Sequence, residues 1–230
     1  MPFENFNEYT EVDQGNDVAI ESSTKVSWTI LRSRYDTAYL CKDFGVPPTI
    51  FIGDFTHKFE MGFSNMGNTV RQNHYILANY QGDEKDIRDA GGDAVNIFSY
   101  DDDEKIYAGF IENGGSGDYD NWPSPGPQPS TNYYVTVERD DDGGDNGTGL
   151  LTVYICTGNH YGEPGSNLED TLAAHASAGE QNDYHYAYSL ATYDDNSITN
   201  TSNGYTQNLD LGLAGFNPAL ATRANNLLGA

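Results

Sequence analysis

The segment Phe55-Thr56-His57-Lys58-Phe59-Glu60-Met61-Gly62-Phe63 alternates apolar and polar residues. Phe55, Phe59, Met61 and Phe63 point one way, while Thr56, Lys58 and Glu60 point the other. A period of two belongs to a β-strand with one buried and one wet face, because successive Cβ atoms leave opposite sides of the pleat. Segments of this kind recur along the chain with turn residues between them, and that recurrence constrains the fold more than any other feature.

Strands are predicted over Tyr9–Asp13, Asp17–Ser22, Lys25–Leu31, Ala38–Asp43, Phe55–Ser64, His74–Tyr80, Ala94–Tyr100 and Lys105–Glu112. The second half adds Tyr133–Arg139, Leu150–Thr157, Asp170–His175, Tyr184–Tyr193 and Tyr205–Gly212. Tyr133, Val135 and Val137 share one side; Leu151, Val153 and Ile155 form a second stripe. Breakers separate the runs, among them Gly45-Val46-Pro47-Pro48, Gly91-Gly92 and Gly143-Gly144. Helix is expected at most over Gly82–Ala90 and Pro218–Leu228, and Asn113–Thr131 reads as one long loop. Many strands with polar turns and no composition break indicate a single-domain antiparallel sandwich or barrel. The domain reading is an N-terminal arm over 1–8, a sandwich over 9–213 and an apolar tail over 214–230.

Only 37% of residues are hydrophobic, so aromatics must carry the core: 17 Tyr, 10 Phe and 2 Trp. The formal charge of −24 repels phosphates and anionic lipid, which argues against nucleic acid as a partner and against membrane insertion. It also keeps sheet edges from pairing at random. Cys41 and Cys156 have no Cys/His neighbours at zinc spacing. They are either one inter-strand disulfide or two buried thiols, the second being the better reading. No secretory signal is visible at the N-terminus, and no apolar run approaches the roughly 18 residues that a membrane span needs.

Several segments together resemble the concanavalin A-like lectin/glucanase superfamily, in particular its laminin-G-like members. They are Tyr9–Asp13, Lys25–Trp28, Ala38–Phe44, Tyr133–Asp140 and Leu150–Ile155, closed by Gly204–Leu211. Similar domains occur in phage-like and environmental proteins of unassigned role. The resemblance spans roughly residues 9–213 and implies a jelly roll of two antiparallel sheets, with the closing strand returning beside the first. The family includes lectins, glucanases and purely structural modules.

Glucanases of that family carry carboxylates at alternate positions of one strand, so that nucleophile and acid/base share a face roughly 5 Å apart. The nearest match, Glu138-Arg139-Asp140-Asp141-Asp142, has Asp in the last place and runs straight into Gly143-Gly144. It reads as an acidic hairpin end, and no catalytic residues are assigned. The chain is expected not to be an enzyme. His57, on the apolar face of its strand, is read as a hydrogen-bonded core histidine.

No cofactor is required by this reading. Calcium, which takes oxygen ligands, is the metal most compatible with Asp140, Asp141, Asp142, Asp145 and Asn146, with secondary clusters at Asp101–Glu104 and Asp194–Asn196. Glycan stacking is assigned to Tyr119 and Trp122, flanked by Asp118 and Asp120, and to Tyr161. Asn146 and Asn200 open glycosylation sequons in expected turns.

The tail from Phe216 to Ala230 is apolar and free of acid. Such a segment seeks cover, so Phe216, Leu220, Leu227 and Leu228, with Phe3 and Phe6 at the other end, are assigned to assembly with copies of the same chain. The leading functional expectation is therefore a non-enzymatic subunit of a filament, fibre or virion surface. The alternative is a lectin-like glycan-binding module, calcium-dependent or not; a glycoside hydrolase comes third. All three place the protein outside the cell or on a virion.

Overall fold

The structure, a computed structural model, describes residues 3–13, 15–32, 38–45, 51, 53–65, 70–100, 105–123, 126–144, 149–158, 161, 168–176, 184–194 and 200–212. Its alternating segments form two stacked seven-stranded antiparallel sheets. With strands numbered in chain order, the first sheet runs β1 (Thr10–Asp13), β4 (Ala38–Asp43), β13 (Tyr186–Asp194), β6 (Val70–Ala78), β7 (Ala94–Tyr100), β8 (Lys105–Glu112) and β9 (Gly115–Asn121). The second runs β12 (Leu168–His175), β11 (Leu150–Cys156), β10 (Asn132–Asp140), β5 (Phe55–Asn65), β14 (Asn200–Asp210), β3 (Lys25–Arg32) and β2 (Val18–Ser22). This is an all-β, single-domain sandwich.

The stripes predicted from alternation meet between the sheets. Phe59, Met61, Phe63, Tyr133, Val135, Val137, Leu151, Val153 and Ile155 join Tyr75, Leu77, Val95 and Phe110 of the opposite sheet in one cluster. Two polar side chains admitted to this layer find partners: Trp28 Nε1 donates to Gln72 Oε1 at 2.9 Å across the sheets, and His57 Nδ1 lies 2.7 Å from the Tyr75 hydroxyl. His57 is thus the core histidine that its place on the strand predicts, and burial pulls its pKa down to about 3.

A smaller core covers the outer side of the first sheet. The short helix α1 (Glu84–Asp89) presses Ile87 onto Tyr39, Cys41, Ile76, Ala78, Ala94, Ile111 and Tyr188. Its start is set by a capping box between Asp83 and Asp86, inside the Gly82–Ala90 segment predicted to hold a turn. Cys41 and Cys156 are both buried, and they are not joined in a disulfide. Among the described residues no helix is long and apolar enough to cross a membrane.

Three expectations are corrected. The loop predicted from Asn113 contains β9, whose Gly-rich sequence conceals alternation because it has few apolar side chains to mark it. Strand β14 does not return beside the first strand; it lies between β3 and β5. Phe6 is fully buried, stacked edge-on against Tyr9 at 5.3 Å, so it belongs to the core rather than to an assembly surface. A turn of 3-10 helix over Phe6–Glu8 folds it inward.

The edge strands β9 and β12 are tied together by carboxylates. Asp120 accepts from the Ala173 backbone N–H and Asp118 from that of His175, each at 2.9 Å. These bonds satisfy edge donors that would otherwise invite another strand, and they give Asp118 and Asp120 a structural duty in place of the sugar contacts predicted for them.

Candidate functional site

Because inward and outward residues alternate, the outer face of the second sheet can be built row by row from strand register. Gln207 of β14 lies opposite Glu60 of β5, which lies opposite Tyr134 of β10. In the next row Tyr205 and Asn132 both lie opposite Gly62. In the row on the other side Asp210 and Thr136 flank Lys58.

Glu60 is the hub. Its residue is 8% exposed, yet its carboxylate accepts from four side chains. Tyr161 and Asn208 donate to Oε1 at 2.8 Å, while Gln207 at 2.7 Å and Asn132 at 3.3 Å donate to Oε2. Desolvation works to raise the Glu60 pKa, but the bonds from Asn208, Gln207, Tyr161 and Asn132 outweigh it and hold the carboxyl below its usual range. All four donors are neutral. A β-bulge in β14 makes the convergence possible: one extra residue between Gln207 and Asp210, with Asn208 at φ +56°, turns two consecutive amides toward one carboxylate. The Tyr161 hydroxyl is pushed up by desolvation, then by its bond to Glu60 and that group's charge, so it stays protonated.

Beside this hub the Tyr205 ring lies across β5. A Cβ on Gly62 would sit 2.8 Å from the ring, so only glycine leaves room. The Tyr205 hydroxyl donates to Asn132 Oδ1 at 2.9 Å, and Lys25 Nζ, paired with Glu21, stands 4.9 Å from the ring centroid. Next to the ring is a surface depression of about 350 Å³ lined by Ser27, Thr29, Ser64, Asn132, Asn203 and Tyr205, among others. Its chemistry is hydroxyl, amide and phenol. Among the described residues Asn203 Oδ1, buried at its wall, has no hydrogen-bond partner.

The residues predicted from sequence scatter. Tyr161 reaches the Glu60 hub and stacks edge-on against Tyr134 at 5.4 Å. Trp122 does not face solvent: it is 8% exposed and packs edge-on against Tyr133 at 5.5 Å in the main core. Tyr119 lies on the first sheet, over Gly109, and its hydroxyl accepts from Arg88 at 2.9 Å, so its ring is committed to the fold. Hydrophobic packing is the reason in both cases, since a ring on β9 or just after it has a sheet to bury against. Asp140 and Asp141 come together with Asp54, ligand oxygens within 4.8 Å of one another, whereas Asp142 is exposed in the turn. The Asp141 carboxyl is pushed above its usual range by desolvation and then by Asp54 and Asp142. Two exposed carboxylates and one partly buried one are hard oxygen ligands, but among the described residues they are too few to enclose calcium.

Asp145, Asn146, the Asp101–Glu104 cluster, Asp195, Asn196, Phe216, Leu220, Leu227, Leu228 and the predicted Pro218–Leu228 helix lie outside the described residues. Asn200 opens β14 rather than a turn. Phe3 is 42% exposed. Glu60, Gln207, Asn208 and Tyr205 were not singled out from sequence. A Glu inside an alternating strand signals only a wet face, and the partners stand some 70 to 150 residues away along the chain.

No family model matches the chain, and no curated protein is similar enough to match. Solved structures do match in shape. An alginate lyase, Aly36B, superposes with a TM-score of 0.50 at 14% identity, covering 89% of this chain and 86% of the lyase. A marine PL-14 alginate lyase from Aplysia kurodai gives 0.50 at 9% identity over 88% and 86%. A protein of unknown function from Shewanella oneidensis gives 0.51 at 10% identity over 87% and 77%. The chain has the concanavalin A-like jelly-roll fold. At these identities the likeness speaks for the fold alone, and function must be argued from the site.

Proposed function

We propose that the chain is a carbohydrate-binding protein that takes a neutral glycan on the outer face of its second sheet, with the ligand seated in the depression beside Tyr205. The observation that carries the reading is Asn203 Oδ1, without a hydrogen-bond partner among the described residues, in a depression whose lining offers hydroxyls, amides and the Tyr205 ring, with Glu21 and Lys25 also in the lining. A sugar supplies hydroxyl donors for such acceptors and an apolar face for the ring.

Charge favours a neutral sugar over a polyuronate. Glu60, Asp210 and Glu21 face Lys58 and Lys25 on this side of a chain with formal charge −24, so a polyanion meets net repulsion. Elimination chemistry on a uronate also needs a base, and the Tyr161 phenol is held protonated. The Asp54 cluster lies about six residues along β10 from Tyr134, roughly 20 Å away at strand spacing. Binding is therefore expected to be independent of calcium. The working place in this reading is extracellular, where glycans are displayed.

A glycan array probed with the intact protein, with and without chelator, tests the proposal. Hits among neutral oligosaccharides that persist with chelator and disappear in Tyr205→Ala support it. A blank array overturns it, and release of unsaturated uronate ends from alginate would replace it with an enzyme. Assembly through Phe3 and the apolar tail is a separate reading. It predicts larger species on size exclusion for the full chain than for one ending at Gly215, and equal monomers would end it.

A further inference from the structure

The inner face of the second sheet carries one group that its surroundings do not account for. Arg139 continues the inward stripe of Tyr133, Val135 and Val137, and it is 2% exposed. Among the described residues none of Nε, Nη1 or Nη2 has a hydrogen-bond partner, and its charge acts on the Asp141 carboxylate without a direct bond. Its guanidinium centre stands 5.5 Å from the Tyr184 ring centroid. A ring can satisfy one face of the guanidinium plane, but the five N–H donors lie in that plane and point elsewhere. An unpaired buried cation of this kind is strongly unfavourable.

Further orphaned polarity lies beside it. Arg139 is opposite Phe55 in the strand register, and His57 is opposite Val137, so the two inward side chains are diagonal neighbours on one face. His57 is 1% exposed; its Nδ1 is engaged by the Tyr75 hydroxyl and its Nε2 has no partner among the described residues. When the hydroxyl donates to Nδ1, Nε2 carries the hydrogen and becomes a donor. A second surface depression, about 530 Å³ in volume, counts Phe55 and Arg139 in its lining, together with the carboxylates Asp54, Glu138 and Asp140.

We propose that Arg139 anchors an internal site for a small carboxylate, with the guanidinium fork donating to both oxygens and His57 Nε2 as an auxiliary donor. The planar, two-oxygen shape of a carboxylate matches the fork better than a spherical halide does. Asp54, Glu138 and Asp140 in the same depression oppose an anion, so the ligand is confined to a small monoanion that contacts the desolvated guanidinium directly, where attraction is strongest. The site is independent of the glycan face, and it is expected to stabilise the fold rather than to perform chemistry.

Thermal unfolding in sodium formate against sodium chloride, at matched pH and ionic strength, provides the test. Formate is expected to raise the wild-type Tm by roughly 5–10 °C at a hundredfold excess over its dissociation constant. Arg139→Met should lose that rise while unfolding in chloride at an equal or higher temperature, because an apolar side chain of similar length replaces an unpaired charge. Arg139→Lys, which keeps the charge without the fork, should retain less than half of it. Equal wild-type Tm values in the two salts would overturn the proposal, as would a formate effect that survives in Arg139→Met. Should neither variant fold, saturation-transfer NMR from wild-type protein to formate decides by the presence or absence of transfer.

Discussion

Two glutamates, one over the outer side of each sheet, have opposite surroundings. Glu84, the first residue of α1 above the first sheet, is fully buried, and its carboxylate meets Arg71 Nη1 at 2.9 Å and Arg88 Nε at 3.0 Å, with Asn73 at 3.2 Å. Arg71 in turn stacks on Phe98 and Tyr100, and Arg88 reaches Tyr119. Glu60 on the second sheet accepts four bonds, but every donor is a neutral amide or phenol, and the Tyr205 depression opens beside it. Charge pairing under a helix makes a rivet. Neutral donors around a lone charge beside open space leave groups that a ligand can re-engage, since amides and hydroxyls exchange partners at small net cost.

That contrast can be broken by substitution. Glu84→Gln should have the largest effect, leaving two arginines without their counter-charge; a loss of about 3 kcal/mol is expected, with Arg71 and Arg88 partly solvated. Thermal unfolding should then fall by roughly 6–12 °C, with glycan affinity unchanged. If affinity fell as much as stability, the two faces would not be separable.

Glu60→Gln should do the reverse. A stability loss of about 1–2 kcal/mol is expected, because an amide cannot accept all four bonds. Calorimetric glycan affinity should drop roughly tenfold or more, a difference of about 1.4 kcal/mol. The same residue sets a pH dependence. Its folded pKa is lowered, so its contribution is complete above the ordinary glutamate pKa of about 4.3 and disappears as pH falls through the lower folded value. Denaturant titrations from neutral pH into that acid window should show a decline in wild type that Glu60→Gln reduces.

Gly62→Ala should have the smallest effect on stability, under about 1 kcal/mol, because a tyrosine tip can swing aside. Its Cβ would meet the Tyr205 ring at 2.8 Å and push it from its place, so glycan affinity should fall while the Tm barely moves. Unchanged affinity would separate the ring from the binding face and narrow the site to the Glu60 hub.

Much of the sandwich was legible beforehand. Strands β4, β7 and β8 have their predicted bounds, and most others differ by a residue or two, because burial on one face imprints a period of two on sequence. Strand β9 escaped because glycines and aspartates carry no such imprint, although it closes the first sheet and holds Asp118 and Asp120 against β12. The candidate site was far less legible. Exposed aromatics were sought in a long loop, where Trp122 and Tyr119 instead pack inward or lock onto Arg88. Of the three rings marked, Tyr161 alone lies beside Glu60 on the outer face of the second sheet.

The amino-acid sequence by itself determined that this chain is a β-sandwich, which of its side chains turn inward, and that its surface is strongly acidic. These are properties of neighbouring residues, and alternation and charge write them locally. Only the tertiary structure decided that Glu60 meets Asn132, Tyr161, Gln207 and Asn208, that β14 threads between β3 and β5, and that the buried Arg139 guanidinium has no hydrogen-bond partner among the described residues. Strand order and a single bulge bring together residues more than a hundred positions apart, and no local pattern encodes which strands become neighbours.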